Sequence, residues 1–409
     1  METLFKKYLK GDTTLWVVFI ALCILSIIEM YSASSTLAYK ASSHLMPVLR
    51  HVGFLVGGVL IAFAVHLVPY KIIRILSYFG LVISAALLVF VLFKGHSEND
   101  AARWLVIGGV QFQPSELAKL SVIIVAADLI SRIRDNTKDE WIYFRNTMIM
   151  LIIICGLILL ENFSTAFILF AVVFVMMFIG RISMKYLGSM AGILVVALLL
   201  GYGAVKTIPE GSMPHVFKRA YTWVARIERH SDKGVKENKY VINDKNRQEK
   251  YGQIAIARGG VFGVLPGNSV ERDYLPQAYS DFIFSIIVEE MGLIGGVLVI
   301  ILYLILLFRA GQIATQCSSV FAAILVIGLS LMIVIQTFIN MSVATSLIPV
   351  TGQPLPLISR GGTSILIICV YFGIIFGITR QIKEGEPLQM EGDSEPVDDA
   401  LPVVDLDNL

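Results

Sequence analysis

Residues 282–308 read FIFSIIVEEMGLIGGVLVIILYLILLF, with Glu289 and Glu290 the only charges in the run. A membrane-crossing helix needs about 20 mostly apolar residues, so this stretch is predicted to span a bilayer. Working outward from it, nine more stretches have the same character, near 13–33, 48–69, 72–93, 115–131, 147–161, 164–180, 187–206, 316–344 and 362–380. The expected fold is an all-α integral membrane protein with ten transmembrane helices. The short stretches 147–161 and 164–180 read as a tight helical hairpin around Glu161-Asn162. Composition agrees: 56% of the 409 residues are hydrophobic and 16% charged, against about 45–50% and about 25% in soluble domains. A single soluble domain and a disordered chain are both excluded.

Orientation follows from Lys and Arg in the short loops. With the N-terminus inside, the inside segments carry fourteen: Lys6, Lys7, Lys10, Lys71, Arg74, Arg132, Arg134, Lys138, Arg145, Arg181, Lys185, Arg309, Arg380 and Lys383. The short outside loops carry five: Lys40, Arg50, Lys94, Arg103 and Arg360. Both termini are therefore expected in the cytoplasm. The first stretch follows three lysines like a signal peptide, but no small-residue cleavage site follows it, so it is read as a retained helix. The domain reading is a membrane domain over 1–383, with a large external loop at 207–281 between the seventh and eighth spans, and a tail over 384–409. That tail holds nine acidic residues and no Lys or Arg, and is expected to be disordered. It hides the balance of the rest: the net charge of +2 leaves +11 on residues 1–383.

Cys23, Cys155, Cys317 and Cys369 all fall inside apolar spans and read as small core residues. The six histidines have no metal-ligand spacing, and neither CxxC nor GxxxxGK[ST] occurs. No nucleotide and no nucleic-acid partner is expected, so energy for any chemistry has to come with the substrate.

Polar residues at membrane depth are costly and mark function or internal pairing. Pro114-Ser115-Glu116 reads as a helix start with Ser115 as N-cap, and Glu116 and Lys119, three apart, share a face and can pair. That pairing serves a structural salt bridge as well as a ligand site. Residues 214–232 make a basic amphipathic helix, with Val216, Phe217, Ala220, Tyr221, Val224 and Ile227 on one face and Lys218, Arg219, Arg226 and Arg229 over much of the rest. It suits a membrane surface, or a cradle for a phosphate-bearing lipid. Ser280 and Asp281 stand where an apolar helix begins, as caps or as a site. On a continuous helix Glu289 lies about 12 Å below Asp281, too far for a shared carboxylate dyad. The glutamates are expected to be structural or proton-linked. Residues 349–364 hold three prolines and three glycines, which predicts an irregular re-entrant loop lining a cavity that Arg360 faces.

Together these segments resemble the SEDS family of shape, elongation, division and sporulation proteins over roughly residues 13–381. The matching stretches are Met30-Tyr31-Ser32-Ala33-Ser34, then Ala102-Arg103-Trp104 through Leu120, then Leu275 through Phe284 with Glu289 through Gly295, and Asn340 through Ser364. The resemblance implies a fold related to GT-C-type polytopic glycosyltransferases. It implies a peptidoglycan glycosyltransferase that polymerises lipid II at the outer face of the bacterial cytoplasmic membrane. It also implies a cognate class B penicillin-binding protein as transpeptidase partner and other divisome proteins around it. Asp281 matches the family's essential aspartate, and Arg103 and Lys119 match basic residues lining its central cavity. Asp281 would be the general base, or would hold a divalent cation (Mg2+ or Mn2+). Arg103, Lys119, Arg360, Arg219 and Arg226, with Glu116 and Ser280 beside them, would bind the substrate and its leaving pyrophosphate. Transfer is expected to be inverting, by direct displacement. The compact length and short N-terminus point to the division branch and the septum. A lipid II flippase, a non-catalytic scaffold and an elongation-branch enzyme are the competing readings.

Four places depart from the family pattern, one of them Asp273, where some relatives carry glutamate. Glu161-Asn162-Phe163-Ser164-Thr165 lacks the acidic residue that members often carry. Arg360 replaces a usual tyrosine, and the loop from His230 to Lys250 lacks the usual Asp-Pro-rich sequence.

Overall fold

A computed structural model describes residues 11–33, 46–94, 96–98, 101–107, 110–135, 139–208, 218–231, 242–243, 246–275 and 278–384. The helices, in order, are α1 (Thr13–Ala33), α2 (Met46–His66), α3 (Tyr70–Lys94), α4 (Pro114–Asp135), α5 (Glu140–Glu161), α6 (Phe163–Ile179), α7 (Met184–Thr207), α8 (Lys218–Ser231), α9 (Arg247–Gly259), α10 (Ile283–Gln316), α11 (Val320–Ala344) and α12 (Thr363–Glu384). All but α8 and α9 coincide with the ten predicted apolar stretches. Among the described residues, eight helices are long and apolar enough to cross a membrane: α1, α2, α3, α5, α7, α10, α11 and α12. α6, at 17 residues, is shorter, and α4 carries Glu116, Lys119, Asp128, Arg132 and Arg134. α4 can be this polar because it is enclosed by α3, α5 and α11, and its Lys119 and Asp128 are fully buried. A helix surrounded by protein has no lipid-facing requirement to meet.

The one-residue link at Asn162 forms the expected tight connection. Asn162 ends α5 and starts α6, its side chain accepting from the N–H groups of Ser164 at 3.1 Å and Thr165 at 3.5 Å. A small antiparallel sheet, absent from the all-helical expectation, precedes α4: β1 (His96–Glu98), β2 (Ala101–Ile107) and β3 (Val110–Phe112) in that order. Its signal is legible in retrospect, since Val106-Ile107-Gly108-Gly109-Val110 places two glycines between β-branched residues, a hairpin pattern.

The predicted span at 282–308 departs from a single descending helix. Gly292 has φ 69° and ψ −171°. A Cβ at Gly296 would lie 2.9 Å from the Val288 side chain and 3.5 Å from that of Phe284. On a straight helix, residues eight and twelve apart are separated by about 12 and 18 Å along the axis, so the chain has folded back on itself. α10 is a half-helix, Ile283 to Met291, followed by a span from Leu293 to Gln316. The backbone groups released at the break pair with the segment after α9. Val264 N–H donates to Glu289 O at 3.0 Å, Leu265 N–H to Glu290 O at 2.8 Å, and Leu293 N–H to Gly260 O at 2.9 Å.

The direction of the half-helix corrects the expected depth of its carboxylates. Glu290 accepts from the Ser32 hydroxyl at the end of α1, whereas Arg309 pairs with Asp12 at the start of α1. The span from 293 onward thus runs the length of α1. Ser285 Oγ reaches the last turn of α11 at Ala344 O, 3.3 Å away, and Asn340, one turn earlier, reaches the carbonyl of Asp281. The half-helix therefore climbs from Asp281 toward the end of the bundle, and Glu289 lies above Asp281 rather than below it.

Candidate active site

Three elements converge on Asp281: the turn before the half-helix, α11, and the irregular segment 349–362. Asp281 is half-buried, and Phe282, not Ser280 or Asp281, occupies the N-cap position of α10. Ser280 Oγ donates to Asp281 Oδ1 at 3.0 Å. Ser359 Oγ donates to Ser280 O at 2.7 Å, and Arg360 N–H to Tyr279 O at 2.9 Å. The Arg360 guanidinium lies 5.2 Å from the centre of the Tyr279 ring, a cation–π distance.

Two amides on α11 secure the irregular segment. Asn340 Nδ2 donates to Asp281 O at 3.0 Å and to Gln353 O at 2.7 Å, so one side chain holds both strands of the site. Gln336, one turn away, donates from Nε2 to Pro354 O at 3.0 Å and accepts from Lys119 Nζ at 3.2 Å. Lys119 pairs with Glu116 at 2.7 Å, both side chains buried. Gln353 Nε2 donates to Thr165 Oγ1 at 2.8 Å, tying in α6. Deeper still, Ser26 of α1 bonds Leu357 O at 2.7 Å, and Tyr303 Oη reaches Pro356 O at 2.5 Å. The predicted re-entrant segment is thus irregular backbone buried in protein, its carbonyls satisfied by side chains, as membrane depth demands.

The predicted site residues are placed unequally. Glu116, Lys119, Ser280, Asp281 and Arg360 belong to one connected polar system. Lys119 is engaged with Glu116 and Gln336, so here it organises the site from behind. Ser115, expected as an N-cap, sits inside the first turn of α4, because Pro114 takes the first helical position, where its missing N–H costs nothing. Arg226, on the amphipathic α8, donates from Nη1 to Val350 O at 2.9 Å. Trp223 of α8 packs on Phe163 with ring centroids 4.9 Å apart. The basic helix therefore leans on the rim of the site, one of its arginines holding the loop. Arg103 falls on β2 beside the register shift between His96 and Ser97. The side chains of Arg103 and Arg219, Asn99-Asp100, Pro276-Gln277, the start of the amphipathic stretch and the tail beyond Glu384 lie outside the described residues. Asn340, Gln336, Gln353 and Ser359 are members that sequence reasoning missed. A signal existed, since Gln336 and Asn340 are polar, four apart, on an otherwise apolar helix.

Glu289 and Glu290 make structural contacts. Glu289 accepts from Ser269 Oγ at 2.5 Å and from Val270 N–H at 3.1 Å, and Glu290 lies 3.7 Å from Arg272. They hold the end of the 246–273 segment against the break at Gly292. Next to them Glu271, 8% exposed, has its carboxyl pushed above the ordinary range, first by burial and then by the charge of Glu289. Among the described residues no three His, Cys, Asp or Glu side chains converge as a metal cage.

The fold agrees with what the chain resembles in other organisms. Residues 12–384 match the FtsW/RodA/SpoVE family, described as cell cycle proteins, and the chain belongs to that family. Among its relatives is a probable peptidoglycan glycosyltransferase FtsW from Hahella chejuensis, 31% identical over 384 residues, covering 91% of each chain. Another is the probable peptidoglycan glycosyltransferase FtsW of Bacillus subtilis, 31% identical over 395 residues and covering 93% of this chain and 94% of the relative. The fold is shared with a chain from a peptidoglycan synthase complex that coordinates polymerization and crosslinking (TM-score 0.68, 24% identity, 91% of this chain and 98% of that one). It is also shared with the rod shape determining protein RodA of Thermus thermophilus (TM-score 0.62, 24% identity, 91% and 97% covered).

Proposed function

We infer that the chain is a peptidoglycan glycosyltransferase of the cell-division type, a multi-pass membrane enzyme that polymerises lipid II into glycan strands. The observation that carries the assignment of its chemistry is Asp281, a half-buried carboxylate just before the half-helix of α10, bonded by Ser280 and held through backbone carbonyls by Asn340 and Ser359. The reaction joins the 4-hydroxyl of one sugar to the anomeric carbon of another and expels a lipid pyrophosphate. A neutral hydroxyl is a weak nucleophile, and a positioned carboxylate that takes its proton contributes about 10²–10⁴-fold. Asp281 is that base in our reading, and the transfer is an inverting displacement. Charge developing on the departing pyrophosphate needs preorganised cations. Arg360, beside Tyr279, takes this part in our reading, with Arg103 and Arg219 as further contributors. Arg226 and Lys119, bonded to Val350 O and to Glu116 with Gln336, keep the loop and the helix behind it in place.

A divalent cation fits this arrangement in one form only. Mg2+ is commonly held by one or two carboxylates together with substrate phosphates, which Asp281 and a pyrophosphate would supply. It would neutralise charge on the leaving group. The fourteen-to-five bias in loop cations supports an orientation with both termini in the cytoplasm, which for ten crossings puts the site toward the outer face; location at the septum follows from the cell-division reading. A cognate class B penicillin-binding protein would crosslink the product alongside other divisome proteins.

The test is polymerisation of lipid II by purified protein, alone and with the transpeptidase, wild type against Asp281→Asn. Loss of polymer with intact folding is expected. Retained polymer would remove Asp281 as the base, and lipid II movement in liposomes without polymer would favour a flippase.

A further inference from the structure

At its start, α5 lies a helix length from the site: Glu161 adjoins Asn162 and Thr165 of the polar system, and Glu140 is twenty-one residues earlier, about 32 Å away. There α5 and α7 diverge around a cavity of about 570 Å3. Their first turns are tied together, with Ser183 N–H donating to Glu140 Oε1 at 3.0 Å. The rings of Phe144 and Tyr186 stack at 4.7 Å between centroids, and Trp141 lies 5.8 Å from Tyr186. Beyond that contact α7 stands off the bundle, with only Leu187, Met190 and Val205 of its 24 residues buried. The cleft between the helices is walled by Met148, Ile149, Ile152 and Ile193, and Arg145 and Lys185 stand at its mouth.

Three observations identify what fills it. Along α5 the cleft runs from Trp141 to Ile152, about 16 Å of helix and so close to half of an about 30 Å hydrocarbon core. Its walls are apolar, and an apolar cleft open to lipid gains dispersion contacts when a chain lies in it. Its mouth combines two exposed cations with indole and phenol rings, the side chains that settle at headgroup level. A helix from another protein, about 10–12 Å across, does not pass where α5 and α7 touch through stacked rings.

We propose that this cleft binds an anionic diacyl phospholipid, with its phosphate on Arg145 and Lys185 and one acyl chain along Ile149, Ile152 and Ile193. Arg145 offers paired N–H donors to phosphate oxygens, and Lys185 adds a point charge. Glu140, the acid at the same mouth, is occupied by the Ser183 amide. The site lies at the opposite end of the bundle from Asp281 and does not depend on the catalytic reading.

Native mass spectrometry of the full chain in detergent, titrated with phosphatidylglycerol or phosphatidylcholine of matched acyl chains, tests this. The wild type is expected to retain phosphatidylglycerol in preference. The Arg145→Gln/Lys185→Gln pair should lower that adduct by about tenfold or more while leaving phosphatidylcholine unchanged. The charge-conserving pair Arg145→Lys/Lys185→Arg should keep it, and Ile193→Trp should reduce both lipids by filling the cleft. Equal retention of the two lipids by the wild type, or undiminished phosphatidylglycerol on the Gln pair, overturns the proposal. So does displacement of the lipid by a purified transpeptidase, which would make the cleft a protein groove.

Discussion

Asn340 and Lys119 show how the site is held residue by residue. Asn340 bridges the carbonyls of Asp281 and Gln353, and Asn340→Ala leaves two carbonyls in a crowded region without that donor. A loss of about 1–3 kcal/mol of stability is expected, read as a lower midpoint in a thermal melt, with polymerisation falling further than stability alone accounts for. Lys119→Met should cost about 3–5 kcal/mol, because it abandons Glu116 as a buried unpaired charge, and adding Glu116→Gln should recover part of the loss. A double variant no more stable than Lys119→Met would mean the ion pair is not what Lys119 contributes. Glu271 gives a pH signature. Its carboxyl titrates higher folded than unfolded, owing to burial and Glu289. Its contribution to stability is therefore complete below the ordinary carboxylate range and is lost as pH rises through the raised value. Glu271→Gln should raise the melting temperature at pH 7–8 relative to wild type, with the gap closing toward pH 4. The Glu116–Lys119 pair was legible from spacing. The amide network was not, because hydrogen bonds between α11 and a segment a dozen or more residues downstream leave no periodic trace in the chain.

At the scale of elements, the break in α10 decides where Asp281 sits. Gly292 occupies φ 69°, and a Cβ there would come within 2.2 Å of Val261 O. Gly292→Ala therefore faces both left-handed backbone and a backbone clash, and should exceed the about 1–3 kcal/mol of a single strained residue. Gly260, at φ 51° with nothing within 4 Å of its Cβ position, is the control, since Gly260→Ala meets only the backbone term. Thermal melts of the two variants separate the effects, and equal losses would refute the clash. Hydropathy could not reveal this break. The half-helix and the following span are both apolar, and a window of 20 residues averages across a reversal as readily as along a straight helix. The irregular segment at 349–364 was legible, because prolines and glycines announce non-helical backbone wherever it is buried.

At the scale of the molecule, the described residues combine eight long apolar helices with the shorter apolar α6 and with α4, which protein rather than lipid surrounds. The ten-span reading predicts both termini on one side. A fluorescent protein that matures only in the cytoplasm, fused after Leu409, should fluoresce, and a cysteine placed at Ile227 should react with a membrane-impermeant label from outside. A dark fusion or an unlabelled Ile227→Cys variant would reverse the orientation. The sequence by itself determined the class of protein, the ten apolar stretches and the bias of the loop cations, and its motif order singled out Asp281 as the candidate carboxylate. These follow from local quantities, the cost of charge in lipid and the motif order, that need no knowledge of contacts. Only the tertiary structure decided that α10 turns back on itself, that Asp281 lies beneath Glu289, and that Asn340, Gln336 and Arg226 position the re-entrant segment. These depend on which distant backbone groups meet, and in a bilayer every carbonyl freed from a helix must find a donor wherever the fold supplies one.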